Sequence, residues 1–467
     1  MFNRTIIEEM EKWAQRANRK PLIIRGARQV GKTTAVEIFS KQFDQYIYLN
    51  LEINSERTLF EKNYSIDELV QAIYFEKNKR KSNGRILIFI DEIQNSANAI
   101  SMLRYFYESF KDFYVIAAGS LLESLMGRQI NFPVGRVEYL YMKPLTFNEF
   151  VNASGDNTLA EILYKIPFPD FAHEKMLKYF YRYTLIGGMP EIVSNYFNNQ
   201  NIIELKPVYE SLLRSYIDDI EKYARNDTLA RVIRYAIENC FYHVAERIKF
   251  EAFGRSNYKS REISEALKTL EKAMLIYLIY PSTGTELPIL ADLKKSPRLH
   301  IVDTGLVNYF AGLQKELFGT EDLNRVYEGK IAEHIVGQEL IAISNSIVDK
   351  VSFWVKEKKQ SNAQVDYIIP YEKYIIPIEV KSGKAGRLRS LHEFIDLASH
   401  NYAVRIYSGK LKVDEVQTIK GKKFYLLSLP FYLASNINKY LKWFLEEGIK
   451  SSEDEIVKNV EKNQLNI

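Results

Sequence analysis

Apolar positions follow two rhythms along the 467-residue chain. Residues 4–17 repeat at helical spacing, with Ile6, Ile7, Met10, Trp13 and Ala14 on one side. From 21 to about 153, short apolar runs alternate with helical stretches. The runs 22–25, 46–51, 86–90, 113–118 and 137–142 read as strands, and 32–43, 66–77, 98–110 and 121–126 as helices. Such alternation predicts an α/β fold, a parallel sheet with helices on both faces. Residues 155–230 are helix-rich and broken at Gly187-Gly188-Met189-Pro190, which is either a hinge or a plain helix–helix connection.

A second unit follows over 228–290. A helix over 228–243 and a segment 245–254 precede a helix over 260–274, where Ile263, Leu267, Leu270 and Met274 make a core face. A strand over 274–280 and a turn at 281–284 come next. Helices followed by a hairpin predict a winged helix. Its exposed face sets Arg261, Lys268 and Lys272 against Glu262, Glu265 and Glu271. A near-neutral face suits a structural or protein-docking role better than a grip on DNA phosphates. The third unit reads as a helix over 326–345, strands at 351–356, 364–369 and 374–380, a helix at 388–398 and a strand at 402–407. A last strand over 424–427 and a helix over 431–446 precede a polar tail, 450–467. The expected division is 1–153, 154–300, 301–435 and 436–467.

Composition narrows the chemistry. The 64 basic and 59 acidic residues leave a net charge of +5, so any contact with nucleic acid must come from local patches. One cysteine, Cys240, excludes an intramolecular disulfide and a thiolate cluster, and the six histidines lack metal spacing. No apolar run of membrane-spanning length and no signal-type leader is present, so the expectation is a cytoplasmic protein without a membrane partner.

Two stretches carry a nucleotide signal. Gly26-Ala27-Arg28-Gln29-Val30-Gly31-Lys32-Thr33 follows a strand and opens a helix. This is the glycine loop whose amides cradle phosphate oxygens. Residues 26–34, through Thr34, are the expected ATP-binding segment, with Lys32 reaching the β and γ phosphates and the Thr33 hydroxyl on Mg²⁺. The run Ile86–Ile90 ends in Asp91-Glu92, where an acidic pair serves the metal and the attacking water. Asp91 is the Mg²⁺ candidate and Glu92 the residue that orients water.

A further set lies in the third unit. Alternation puts Glu379 and Lys381 on one side of a strand, and a short hairpin over 370–373 brings Asp366 alongside. Two carboxylates on adjacent strands suit Mg²⁺, with Lys381 to orient water or stabilise phosphorane charge.

These motifs, together with Asp91-Glu92-Ile93-Gln94, Gly119-Ser120, Gly135-Arg136-Val137, Pro144 to Phe150, Gly187 to Glu191 and His300 to Leu306, resemble the prokaryotic AAA-type ATPases that end in a domain of unknown function. The resemblance covers roughly residues 4–435. It implies that Ser120 is a sensor of the γ-phosphate, although Ser120 also suits the cap of a helix over 121–126. It implies that Arg136, rather than Arg128, is a finger offered to a neighbouring copy in a homo-oligomer; a surface ion pair is the alternative. The third unit's element order, with Asp366, Glu379 and Lys381, resembles the PD-(D/E)XK nuclease fold, which adds Glu333 as a metal contact. The leading expectation is an ATPase that couples Mg²⁺-dependent hydrolysis to a nuclease-like domain acting on DNA or RNA. The alternative is a nucleotide-gated switch that binds protein partners and cuts nothing. A small-molecule kinase is disfavoured by the large extra domains.

Overall fold

The computed structural model describes residues 2, 4–119, 132–312, 329–344, 350–356, 363–383 and 388–450. Ser120, Arg128, the expected helix over 121–126 and the tail beyond 450 lie outside the described residues.

Five strands form the first sheet: β1 (Leu22–Arg25), β2 (Gln45–Asn50), β3 (Ile86–Asp91), β4 (Phe113–Gly119) and β5 (Glu138–Tyr141). Their order is β2-β3-β4-β1-β5, and every pairing is parallel. All residues of β1 and β3 are buried, as parallel strands covered on both faces must be. The pleat sends Leu22, Ile24, Leu87 and Phe89 to one core, and Ile23, Ile88 and Ile90 to the other. The first helix, Thr5–Ala14, packs against the former through Met10 and Trp13.

Beyond β5 the chain is helical: Phe147–Ala153, Asn157–Leu163, His173–Ile186, Pro190–Asn199, Lys206–Tyr223, Asp227–Cys240 and Ser260–Lys272. The break at Gly187-Gly188 is a tight backbone junction. Gly187 has φ 80°, and a Cβ on Gly188 would lie 2.1 Å from the Leu145 carbonyl oxygen. A Cβ on Gly305 would lie 1.9 Å from the Ile186 carbonyl oxygen. No side chain fits where these three backbones meet.

After the helix Ser260–Lys272, β6 (Ile276–Ile279) pairs antiparallel with β8 (Arg298–Ile301). The turn expected at 281–284 is instead a short strand, β7 (Pro281–Ser282), that joins another sheet. Its partner supplies the reason: Ser352 Oγ donates to the Tyr280 carbonyl at 2.6 Å, and the Trp354 indole to the Thr283 carbonyl at 3.1 Å.

The second large sheet also contains β9 (Ser352–Val355), β10 (Gln364–Tyr371), β11 (Tyr374–Lys381), β12 (Tyr402–Tyr407), β13 (Lys412–Gln417) and β14 (Lys423–Pro430). The order is β13-β14-β12-β11-β10-β9-β7. The helices Lys330–Ile343 and Arg389–Leu397 contribute to different apolar clusters on this sheet. One buried cluster runs from Ile6 to Phe444, so the three expected units share a core. No helix among the described residues is long and apolar enough to cross a membrane.

Candidate functional site

The phosphate loop leaves the C-terminal end of β1, between β4 and β5. Gln29 at φ 63° and Gly31 at φ 93° turn the backbone through left-handed conformations. Gly26 needs its missing Cβ, which would sit 2.4 Å from the Met142 carbonyl oxygen. The helix Lys32–Ser40 then starts at Gly31 without a side-chain cap, leaving its first amides for a ligand.

Lys32 folds into the loop and donates to the carbonyls of Gly26 at 3.0 Å and Ala27 at 2.9 Å. Burial pulls its ammonium down to about 8, against the opposing fields of Glu92 and Asp91. The Thr33 hydroxyl donates to Asp91 Oδ2 at 2.7 Å. Burial pushes the Asp91 carboxyl up, partly offset by that hydroxyl. Glu92 sits at φ 51°, and the Gln94 amide donates to its Oε2. Lysine, hydroxyl and carboxylate thus converge at the loop mouth with the chemistry that Mg²⁺ and a triphosphate require.

Two supports of this loop had no signature in the sequence. Arg4 donates to the Val30 carbonyl at 3.1 Å and the Lys143 carbonyl at 2.7 Å, and pairs with Glu149 at 3.1 Å. On the other side, the helix Lys206–Tyr223 contributes Ser215, Tyr216 and Asp219. Tyr216 donates to the Arg28 carbonyl at 3.0 Å, Gln29 to Ser215 Oγ at 3.4 Å, and the Arg28 guanidinium pairs with Asp219.

Arg136 stands apart from this group. It is 44% exposed and pairs with Glu108 at 3.1 Å. The surface ion pair weighed above is therefore present within the chain.

In the second sheet, β10 and β11 are antiparallel with Tyr367 opposite Ile378, which sets Asp366 beside Glu379. The Val380 amide donates to Asp366 Oδ2 at 2.9 Å. Lys381 donates to Glu379 Oε1 at 2.8 Å, whereas Glu379 Oε2 is buried without a partner. Burial, then the Asp366 charge, pushes Glu379 up to about 8. The same two causes push Glu333 up to about 7.

An unforeseen residue completes the cluster. Arg298 on β8, 2% exposed, donates to the Asp366 carbonyl at 2.9 Å. Its guanidinium lies 3.5 Å from Glu333 Oε2 and 3.6 Å from Asp366 Oδ1. Among the described residues, no three acidic, histidine or cysteine side chains are placed to hold a metal ion. The orphaned Glu379 oxygen beside Asp366 fits a two-carboxylate Mg²⁺ site, while Glu333 is engaged by Arg298.

Residues 18–151 match the family model of an AAA domain. Residues 177–317 and 328–432 match two domains of unknown function, DUF8612 and DUF4143. No curated protein matches the chain. Among solved structures, the chain is similar to a Walker-type ATPase of Pyrococcus abyssi, with TM-score 0.45, 15% identity, and coverage of 67% of this chain and 96% of that one. It is also similar to the RuvB Holliday junction branch migration motor of Thermotoga maritima, with TM-score 0.28, 15% identity, and coverage of 59% and 90%. PCH-2 of C. elegans gives TM-score 0.26 and 12% identity, with coverage of 40% and 59%.

Proposed function

We propose, from the premise that residues 18–151 form an AAA-type P-loop ATPase domain, that the chain binds and hydrolyses ATP with Mg²⁺. The observation that carries this is the Thr33–Asp91 bond of 2.7 Å beside a lysine held inside the glycine loop. Lys32 and the loop amides bind the β and γ phosphates, Thr33 and Asp91 hold the Mg²⁺ shell, and Glu92 orients the attacking water. Bound Mg²⁺ supplies charge neutralisation on the phosphate oxygens. Ser120 and, in a neighbouring copy, Arg136 remain the candidates for γ-phosphate contacts. Turnover should vanish in Lys32→Ala. Measuring it with and without DNA tests the coupling, and equal turnover in wild type and variant removes the ATPase reading.

The same reading makes the C-terminal cluster the output. Asp366 and Glu379 would hold Mg²⁺, joined by Glu333 where Arg298 yields it, and Lys381 would orient water toward a phosphodiester of DNA or RNA. Cleavage dependent on Mg²⁺ or Mn²⁺, present in wild type and absent in Asp366→Ala, is the expected result. The second reading, a nucleotide-gated switch without cleavage, draws support from Arg298. Its guanidinium already supplies buried positive charge to Glu333 and Asp366. Lys32-dependent turnover with no Asp366-dependent cleavage would select it.

A further inference from the structure

The helix Lys206–Tyr223 grips the phosphate loop through residues on one face. Asp219 is four residues from Ser215 and three from Tyr216, the helical spacings that set side chains beside one another. All three act on Arg28 or Gln29, the third and fourth residues of the loop. Arg28 is 34% exposed and Asp219 7%. Burial opposes the Arg28 charge, but the Asp219 bond and the fields of Asp219, Glu92 and Glu52 outweigh it. Lys32 in turn lies within the fields of Glu92, Asp91 and Arg28. Arg28 is itself a residue of the phosphate loop, four positions before Lys32, with its guanidinium held by Asp219, while Arg136 is tied to Glu108 on the surface.

We infer that Arg28 is a catalytic arginine supplied within the same chain, and that Asp219 is the positioning residue that holds it, and the helix behind it, until ATP arrives. The inference rests on the ATPase reading above. A γ-phosphate with several charged oxygens outcompetes one carboxylate for a planar guanidinium. In the reaction, the water oxygen bonds to the γ-phosphorus. The bond to the β–γ bridging oxygen breaks, and its electron pair leaves on ADP. The water proton passes by way of Glu92 to the released phosphate. Arg28 neutralises charge on the γ oxygens as they separate from ADP. Asp219, losing this cation in a nearly buried place, gives up one of the three ties between its helix and the loop, so the helix Lys206–Tyr223 registers the bound triphosphate.

The test uses the full chain and two probes: ATP, and ADP with aluminium fluoride as a mimic of the transferring phosphoryl. Arg28→Ala should keep ATP affinity within about tenfold while kcat falls roughly 100- to 1,000-fold, with a similar loss of affinity for the mimic. Arg28→Lys keeps the charge without the fork and should lose at least about tenfold in kcat, which guards against an alanine variant that fails to fold. In Asp219→Asn, amide exchange over 206–219 should cease to respond to ATP. Arg28 variants with wild-type kcat, in a protein whose turnover Lys32→Ala abolishes, overturn the catalytic role. An exchange response in Asp219→Asn equal to that of wild type overturns the holding role. Absence of any Lys32-dependent turnover fells the ATPase reading itself, and this inference with it.

Discussion

Glu339 offers a test of how the C-terminal unit is fastened to the ATPase domain. It lies on the helix Lys330–Ile343, fully buried, and accepts the Phe147 amide at 3.1 and 3.2 Å. The Tyr183 hydroxyl lies 2.6 Å from its Oε1 and 2.7 Å from the Leu145 carbonyl oxygen. A hydroxyl has one hydrogen, so it cannot donate to both. If Tyr183 donates to Leu145, Glu339 must carry the proton and donate to the tyrosine oxygen. Burial favours that arrangement, pushing Glu339 up from 4.5 to about 7. A raised carboxyl binds its proton more tightly in the folded chain. Its contribution to stability is thus present in full below about 4.5 and lost as the pH rises through about 7. Between pH 5 and pH 8 the loss is roughly 2–3 kcal/mol.

Glu339→Gln keeps an oxygen for Phe147 and a permanent N–H for Tyr183. Urea unfolding followed by tryptophan fluorescence, at pH 5 and pH 8, should show the variant gaining on wild type by about 2–3 kcal/mol across that interval. An offset that does not change with pH would mean that Glu339 carries no proton in the folded protein, and the assignment of the hydrogen-bond chain would fall.

Two further outcomes are expected. Arg298→Met removes the buried cation from Glu333 and Asp366 and should destabilise the chain by about 3–5 kcal/mol in the same urea assay; unchanged stability would show that the cluster does not need it. Gly337→Ala places a Cβ 2.4 Å from His300 Cε1 and 2.5 Å from the Tyr367 hydroxyl. It should cost about 1–3 kcal/mol, seen as a lower melting temperature, and a melting temperature equal to wild type would refute that packing.

Local pattern made the first sheet legible. Strands β1 to β4 are contiguous apolar runs or a clean alternation, β5 is partly exposed throughout, and the expected ranges agree with the observed ones to within a residue or two. The helix Asn54–Glu61 gave no such signal, because it buries little beyond Leu59, Phe60 and the Glu56 carboxylate that accepts the Asn50 amide at 2.7 Å. β13 is also polar, an edge strand that shows itself only through its ladder with β14. At the nucleotide loop, Lys32 and Thr33 were readable from the glycine pattern, and Asp91 from the apolar run that ends at it. Asp219 and Arg298 were not. Each meets its partners through long-range folding, and no spacing rule links Arg28 to Asp219 or Arg298 to Asp366.

The glycine crossing at 187–188 and 305 bears on how this polypeptide can be cut. Leu145, at the end of the matched AAA segment, is hydrogen-bonded to the Gly188 carbonyl at 2.7 Å, and the Gly188 amide to Asp303 at 2.6 Å. Three stretches far apart in the chain are thus sutured by one main-chain bond and one buried carboxylate. A fragment ending near residue 151 would carry away one side of that seam and leave Phe147 and Phe150 without their aromatic neighbours Phe180 and Tyr183. Borders drawn from family matches mark ancestry here; they are poor places for scissors.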